Sequence, residues 1–166
     1  EWAGKVFVAG GFVRDTVLGK ESKDIDLVIE KAGGGIEFAE WFTSTIGIRK
    51  PVVFPRFGTA NFVIPADVLG SDADVEIECV MTRKEQYIEG DRKPDVSPGT
   101  LMDDVERRDF TVNSLLLDVV SGDILDLTGM GIQDIRSGVV RTPLDPDVIF
   151  REDPLRMLRA IRFTVK

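Results

Sequence analysis

The stretch from Lys5 to Glu30 constrains the fold of this chain more than any other part of the sequence. An apolar run at residues 6–9 predicts a buried strand, and the pair Gly10-Gly11 separates this run from residues 12–18, whose apolar side chains have helical spacing. A glycine pair at the start of a helix can present unpaired backbone N–H groups to phosphate oxygens. The alternative interpretation of the pair is a simple turn.

The second half of this stretch carries two aspartates in alternate positions. If residues 24–30 form a strand, its period of two places Asp24 and Asp26 on the same face, where two carboxylates can share divalent cations. Two such carboxylates beside a phosphate-binding turn are what two-metal phosphoryl or nucleotidyl transfer requires. The alternative is an exposed acidic strand without a chemical role.

Composition narrows the class of protein. The 166 residues suffice for one domain and the beginning of a second, and a hydrophobic fraction of 43% is enough for a core. The absence of histidine excludes imidazole chemistry, and the single cysteine, Cys79, excludes an internal disulfide and suits the cytoplasm. No apolar window long enough to span a membrane is present. The net charge of -8 argues against binding nucleic acid by broad phosphate neutralisation.

Short alternating strands mixed with short helices predict an α+β fold, in which helices cover one face of a sheet. An alternating strand at residues 75–81 would place Glu76 and Glu78 together on one face. The other predicted elements are a helix over residues 36–46, two strands around Pro55-Arg56, a mobile loop over 84–100, a helix starting at Leu101, a hairpin around Ser121-Gly122, a turn-rich segment over 129–147 and a helix from Asp153.

The opening stretch also carries a resemblance. Residues 10–15, GGFVRD, followed by Asp24-Ile25-Asp26 resemble the signature of the polymerase-β-type nucleotidyltransferases. Within that group the closest resemblance is to the class II tRNA nucleotidyltransferases (CCA-adding enzymes) and the bacterial poly(A) polymerases. Further segments resemble later motifs of this family in the same order: residues 83–87, 91–94, 99–101, 104–113, and 152–156 with Arg159, Arg162 and Phe163.

The resemblance implies a polymerase-β-like head with a mixed, mostly antiparallel sheet of about five strands and helices on one face. It implies that Asp24 and Asp26 hold catalytic Mg²⁺ ions and that Glu78 assists them, with Glu76 the weaker candidate. The residues that it implies for nucleotide binding are Gly10, Gly11, Arg14, Asp104, Arg107, Arg108, Asp109, Asn113, Asp153, Arg156, Arg159 and Arg162.

Among these residues, Asp153 and Arg156 would offer an acceptor and donors to the Watson–Crick edge of the incoming base, so that the enzyme selects CTP and ATP without a template. Without the resemblance, Glu152-Asp153 and Arg156 would be interpreted as a charge pair at a helix N-terminus. The implied reaction is addition of C, A or both to the tRNA 3′ end from CTP and ATP, with release of pyrophosphate.

The resemblance also implies a domain organisation. Residues 1–147 would form the catalytic head and residues 148–166 the start of a helical neck, while the rest of the neck, the body and the tail would lie outside this sequence. Residues 57–60 favour tRNA over mRNA as the substrate, and the loop at residues 91–94 favours A addition. The alternatives are a poly(A) polymerase and a nucleotide-binding module without turnover. The oligomeric state stays open.

Overall fold

The computed structural model describes residues 2–22, 24–87 and 94–164, and it contains a seven-stranded sheet with strand order β3-β4-β5-β2-β1-β8-β9. Strands β2 and β5 are parallel, and every other neighbouring pair in this sheet is antiparallel. The strands are β1 (Lys5–Ala9), β2 (Ile25–Glu30), β3 (Val52–Phe54), β4 (Thr59–Ile64), β5 (Val75–Met81), β8 (Leu116–Asp118) and β9 (Ile124–Leu125).

Helices cover both faces of this sheet. The helices are α1 (Gly11–Val17), α2 (Gly34–Ile46), α3 (Ala66–Leu69), α4 (Leu101–Glu106), α5 (Gly131–Ser137), α6 (Pro146–Glu152) and α7 (Leu155–Thr164). Phe38 of α2 packs with Ile29, whereas Val105 of α4 packs with Val28. Because adjacent residues of a strand point to opposite faces, α2 and α4 lie on opposite sides of β2.

The α+β fold with a mostly antiparallel sheet is therefore confirmed, and two details of the prediction are corrected. The sheet has seven strands instead of the about five that the resemblance implied, and its edge strands correspond to the strands predicted around Pro55-Arg56 and to the hairpin predicted at Ser121-Gly122. The expectation of helices on one face was wrong because Phe7 and Val28 form an apolar surface that α4 covers. When both faces of an antiparallel sheet are buried, the alternation of apolar residues along a strand does not show which face the helices cover.

The predicted mobile loop at residues 84–100 contains regular structure. Strands β6 (Arg83–Gln86) and β7 (Asp95–Pro98) form a separate two-stranded antiparallel ribbon. Because the charged residues of this ribbon give it no apolar face, the sequence pattern did not predict that the two strands pair. Most of the predicted motif at residues 91–94 lies outside the described residues, so the inference of A addition from it stays a prediction.

The C-terminal part also differs from the prediction. Helix α5 occupies a segment expected to be turn-rich, and α6 precedes the predicted final helix, α7. The proposed boundary between residues 147 and 148 falls inside α6. Across residues 2–22, 24–87 and 94–164, no helix is both long and apolar enough to cross a membrane.

Candidate active site

The three predicted catalytic carboxylates lie at neighbouring positions of two parallel strands. Asp26 of β2 is in register with Glu78 of β5, and Asp24 immediately precedes β2. Asp26 and Glu78 are on the face of the sheet that carries Val28 and α4. The structure therefore brings Glu78 beside Asp26, while Glu76 lies one pleat further toward the start of β5.

The electrostatics of these carboxylates reflect their crowding. Partial desolvation by the surrounding protein is the main reason that the pKa of Asp26 is raised, although the residue stays open to solvent on one side. The charge of Arg108 opposes this increase, and the charge of Asp24 adds to it. Glu78 is also open to solvent, and its pKa is raised first by partial desolvation from the surrounding protein and second by the charge of Asp26. Such a group of mutually repelling carboxylates is suited to a divalent cation, which relieves the repulsion.

The glycine pair forms the turn between β1 and α1. Gly10 has a φ of 71°, a left-handed conformation that favours glycine, and it precedes the first residue of α1. A Cβ atom at Gly10 would lie 3.4 Å from an Arg108 guanidinium nitrogen and 3.7 Å from an Asp26 carboxyl oxygen. The turn thus approaches both the acidic group and a cation closely, and this approach explains why the first position of the pair has no side chain.

Asp104 binds two arginines from a buried position. Its carboxyl oxygens accept hydrogen bonds from Arg107 at 2.6 Å and from Arg108 at 2.9 Å. Burial opposes ionisation of Asp104, but the charges of Arg108 and Arg107 outweigh it and lower the pKa of the carboxyl. Asp104 does not line the central cavity described below. It orients the two guanidinium groups that do.

Asn113 connects helix α1 to helix α7 through a chain of hydrogen bonds. Arg14 donates to Asn113 Oδ1 at 2.7 Å, and Asn113 Nδ2 donates to Asp109 at 3.0 Å. The other Asp109 oxygen accepts a 2.7 Å hydrogen bond from Arg159 of α7. Both ends of the Asn113 amide are therefore engaged by protein, so this residue orients Arg14 and Asp109.

Arg156 joins α7 to three other parts of the molecule. Its guanidinium donates to the Arg107 carbonyl at 2.8 Å, to Glu152 at 3.2 Å and to the Tyr87 hydroxyl at 3.4 Å. A fourth hydrogen bond, of 3.3 Å, reaches the Ile149 carbonyl. Four of the five donors of this side chain thus serve intramolecular acceptors, and the helix charge pair with Glu152 is present as well.

A cavity of about 390 Å³ collects most of the predicted nucleotide-binding residues. Its lining consists of Gly10, Gly11, Arg14, Asp26, Arg107, Arg108, Asp109, Asn113, Asp153, Arg156, Arg159 and Phe163. A smaller cavity of about 250 Å³ shares part of this lining and adds Asp24 and Arg162. Glu78 lines neither cavity but is in register with Asp26. The roles of all these residues stay predictions.

Two residues near the site were not predicted. Asn61 of β4 is in register with Glu78, and its buried Oδ1 accepts no hydrogen bond within the described part of the chain. Tyr87 donates to Glu85 at 3.1 Å and accepts from Arg156, and burial, aided by Glu85, raises the pKa of its hydroxyl to about 12. The position of Asn61 beside Glu78 is evident only from strand register. Tyr87, in contrast, belongs to the segment 83–87, which resembles a motif of the family.

Within residues 2–22, 24–87 and 94–164, no three carboxylate, cysteine or histidine side chains form a complete metal site. The acidic residues nevertheless fit a divalent cation in part. Asp24 and Asp26 line one cavity, and Asn61 brings an unsatisfied carbonyl oxygen beside Glu78. A cation here would need further oxygen ligands from phosphate or water, as Mg²⁺ usually does.

Comparison with known proteins identifies the family. Residues 6–141 match the family described as "Poly A polymerase head domain". The chain belongs to this family. The chain is 37% identical over 168 residues to tRNA nucleotidyltransferase cca2 of Schizosaccharomyces pombe, and 38% identical over 162 residues to the A-adding tRNA nucleotidyltransferase of Aquifex aeolicus. It is also 33% identical to Poly(A) polymerase I of Salmonella typhi over 162 residues.

These alignments cover 96%, 96% and 98% of the present chain but only 34%, 18% and 34% of the three relatives. The chain thus spans about a third or less of their length. Among solved structures, a tRNA nucleotidyltransferase complexed with a primer tRNA and an incoming ATP analog has a TM-score of 0.76 at 34% identity. The match covers 96% of the present chain and 41% of that structure's chain.

A second structure, an apo form of a CCA-adding enzyme, has a TM-score of 0.78 at 34% identity, with 96% of the present chain and 35% of that structure's chain covered. The expected resemblance to nucleotidyltransferases is therefore confirmed, as is the polymerase-β-like class of fold.

Proposed function

We propose that this head domain catalyses template-independent addition of C and A residues to the 3′ end of tRNA, using CTP and ATP and releasing pyrophosphate. In this reaction the 3′-hydroxyl oxygen of the RNA bonds to the α-phosphorus, the bond from that phosphorus to the pyrophosphate breaks, and the hydroxyl proton is lost to solvent. The relatives named above support the substrate class.

One observation carries the proposal. A single cavity joins an acidic residue, Asp26, to the glycine turn and to five arginines: Arg14, Arg107, Arg108, Arg156 and Arg159. A nucleoside triphosphate needs cationic and N–H donors for its phosphates and a carboxylate-bound metal at the α-phosphate. The cavity offers guanidinium and N–H donors together with a carboxylate, Asp26, that could hold such a metal, whereas a site built only for an uncharged ligand would not need so many guanidinium groups.

Mg²⁺ is the cofactor that we propose. Asp24 and Asp26 would hold it, and Glu78 would assist as the carboxylate next to Asp26. Bound magnesium supplies neutralisation of phosphate charge and activation of a hydroxyl group. The chain's own contribution is to hold these carboxylates adjacent to one another. Arg108 favours the ionised form of Asp26 by opposing the increase in its pKa.

The remaining predicted residues divide into two groups. Gly10, Gly11 and Arg14 would bind the triphosphate, and Arg107, Arg108 and Asp109 would bind phosphates and ribose. Asp153, Arg156, Arg159 and Arg162 of the α6–α7 region would contact the base and the outer part of the nucleotide. Asp104 and Asn113 would position these groups from behind.

Nucleotide incorporation tests the proposal. The full-length protein, incubated with Mg²⁺ and tRNA lacking its terminal CCA, should add C, C and A when both CTP and ATP are present. The Asp24→Ala and Asp26→Ala variants serve as inactive controls. Binding of Mg-nucleotide without extension of any RNA, under conditions in which a known tRNA nucleotidyltransferase works, would contradict the proposal and favour a module without turnover.

A second candidate function is poly(A) polymerase, which the relative from Salmonella typhi favours. The same assay separates the two candidates. A growing A tail on unrelated RNA would identify a poly(A) polymerase, whereas addition that stops after three residues on tRNA would identify a CCA-adding enzyme.

A cytoplasmic location is part of the proposal, since the one cysteine, Cys79, is buried and unpaired. Two relatives, from Saccharomyces cerevisiae and Candida glabrata, are named as mitochondrial CCA tRNA nucleotidyltransferases. Fluorescence microscopy of the tagged full-length protein distinguishes a cytoplasmic from a mitochondrial location.

A further inference from the structure

The ring of Phe163, near the end of α7, lies where three cavities adjoin. It lines the nucleotide cavity of about 390 Å³, the smaller cavity of about 250 Å³ that contains Asp24, and a third cavity of about 510 Å³ between α1, α5 and α7. Arg14 lines all three cavities as well. The nucleotide binding proposed above gives Phe163 no role, although its ring forms part of the wall around the nucleotide.

Two arginines of the nucleotide cavity contact this ring. The guanidinium carbon of Arg14 lies 5.3 Å from the ring centre, and that of Arg159 lies 5.9 Å from it. Arg14 belongs to α1, whereas Arg159 precedes Phe163 by one turn of α7. An aromatic ring attracts a cation within about 6 Å of its centre through its quadrupole. Phe163 therefore contacts one cation proposed for the triphosphate and one proposed for the base side of the nucleotide.

The ring also closes a chain of hydrogen bonds into a circle. Arg14 donates to Asn113 at 2.7 Å, and Asn113 donates to Asp109 at 3.0 Å. Arg159 donates to the same carboxylate at 2.7 Å. The two ends of this chain, Arg14 and Arg159, are the two cations that contact the ring of Phe163. Each guanidinium group is thus held by a polar partner and by the shared ring.

A ring contact restrains a guanidinium group without using its N–H donors. Arg14 donates to Asp15 and Asn113, and Arg159 meets Asp109 through Nε and Nη2. Neither arginine uses all five of its donors in these contacts, so both keep donors for a ligand. The restraint matters most for Arg159, whose side chain is 51% exposed. A side chain already held in one conformation loses less freedom when a ligand binds.

The anchoring of Phe163 fits this role. Its ring packs edge-on against Phe110, with ring centres 5.6 Å apart, and Phe110 is fully buried. The core therefore fixes the ring, while Phe163 itself is only partly buried. Apolar packing of α7 alone would be served equally well by an aliphatic side chain, whereas attraction of two cations requires an aromatic ring.

We propose that Phe163 is a positioning residue for the incoming nucleotide, which holds Arg14 and Arg159 at the spacing that the triphosphate and the base require. This inference rests on the proposed function, because it concerns the nucleotide of that reaction. The ring carries no group that takes part in the transfer of the nucleotide. Its loss should therefore raise KM for the nucleotide and leave kcat nearly unchanged.

The test replaces the ring in the full-length protein. Phe163→Leu keeps apolar volume without a ring, whereas Phe163→Tyr keeps the ring and should rescue binding. Phe42→Leu is the matched control, because it makes the same change in a partly buried ring of α2 that lines none of the three cavities. The calorimetric affinity for Mg-ATP should fall about 5- to 30-fold in Phe163→Leu and stay at the wild-type value in Phe42→Leu. KM for CTP and for ATP should rise by the same factor.

A double-mutant cycle tests the contact with Arg14 itself. In an Arg14→Gln background, Phe163→Leu should weaken Mg-ATP binding by a smaller factor than in the wild type, because one of the two cations is absent. Equal factors in the two backgrounds would overturn the inference. Phe163→Met supplies a second side chain without a ring and should give the same result if Phe163→Leu folds poorly.

Unchanged Mg-ATP affinity in Phe163→Leu would overturn the inference and leave the ring with a packing role. Equal losses of affinity in Phe163→Leu and Phe163→Tyr would overturn it as well. A wild type that binds Mg-ATP but extends no RNA would instead contradict the proposed function. The affinity measurement needs neither RNA nor turnover, so it tests the role of Phe163 separately from the reaction.

Discussion

Asp26 and Glu78 are paired in register on the parallel strands β2 and β5, and the charge of Asp26 helps to raise the pKa of Glu78. This relationship places two carboxylates from distant parts of the sequence side by side. In the absence of a bound metal ion, the repulsion between these carboxylates destabilises the folded protein. It leads to the first prediction, in which activity and stability respond to one substitution in opposite directions.

Asp26→Asn should lower incorporation by about a thousandfold or more, since metal-assisted charge stabilisation contributes several kcal/mol. The same variant should unfold at a higher temperature than the wild type at neutral pH without Mg²⁺. A raised pKa means that the ionised Asp26 is less stable in the folded protein than in the unfolded chain, so removing its charge favours folding.

The stabilisation should shrink as the pH falls through the raised pKa and disappear below about 4, where the carboxylate becomes protonated in the unfolded chain too. Thermal unfolding with and without Mg²⁺ measures both effects. Asp72→Asn, in an exposed loop, is the control and should change neither. A lower unfolding temperature for Asp26→Asn at neutral pH would contradict the argument from repulsion.

Asp104→Ala should reduce the free energy of unfolding by about 3 kcal/mol, because it leaves the Arg107 and Arg108 guanidinium groups without their buried partner. Urea unfolding followed by circular dichroism provides the measurement. Glu106→Ala, two residues further in α4 and partly exposed, should change stability by less than about 1 kcal/mol. Similar losses in both variants would show that α4, and not the charge cluster, is being disrupted.

Stability of the wild type should also depend on pH through Asp104. Its pKa is lowered in the folded state, so its stabilising contribution is present above the ordinary aspartate pKa of about 4 and is lost as the pH falls through the lowered value. The difference between the wild type and Asp104→Ala should therefore shrink in acid. Unfolding curves at a series of pH values from neutral to strongly acidic would reveal a constant difference if this explanation is wrong.

Arg156→Lys should both destabilise the protein and relax the choice of nucleotide. Lysine keeps the charge but cannot bridge the Arg107 carbonyl, Glu152 and Tyr87 together, so about 2 kcal/mol of stability should be lost. The ratio of kcat/KM for CTP and ATP against GTP and UTP should fall in parallel. Arg151→Lys, on the exposed side of α6, is the matched control. Unchanged selectivity in a destabilised variant would restrict Arg156 to a structural role.

Asn113→Ala should lower kcat/KM for the nucleotide by about 10- to 100-fold, because Arg14 and Asp109 both lose the amide that orients them. Ser114→Ala removes buried hydrogen bonds to the Phe110 and Val105 carbonyls at the next position without touching the cavity. Steady-state kinetics of the two variants separate local destabilisation from a positioning effect. Equal kinetic losses would contradict the role given to Asn113.

Much of the fold and site followed from short-range patterns. The strand, glycine turn and helix at the start of the chain, and the hairpin at Ser121-Gly122, were predicted because period-two and period-3.6 apolar spacing and glycine pairs are local signals. The sequence did not reveal the β6–β7 ribbon, because its charged residues lack an apolar face. Nor did it reveal α4 on the second face of the sheet, since a buried strand can be covered from either side.

The sequence by itself determined which groups are present: the aspartate pair, the glycine turn and the arginines that the family resemblance singled out. Only the tertiary structure decided how they meet. Strand register puts Glu78, and not Glu76, beside Asp26, and brings Asn61 next to Glu78. The long-range hydrogen bonds of Asn113 and Arg156 connect residues 49 to 99 positions apart. Local periodicity carries no information about such long-range pairings, because packing of the whole chain sets them.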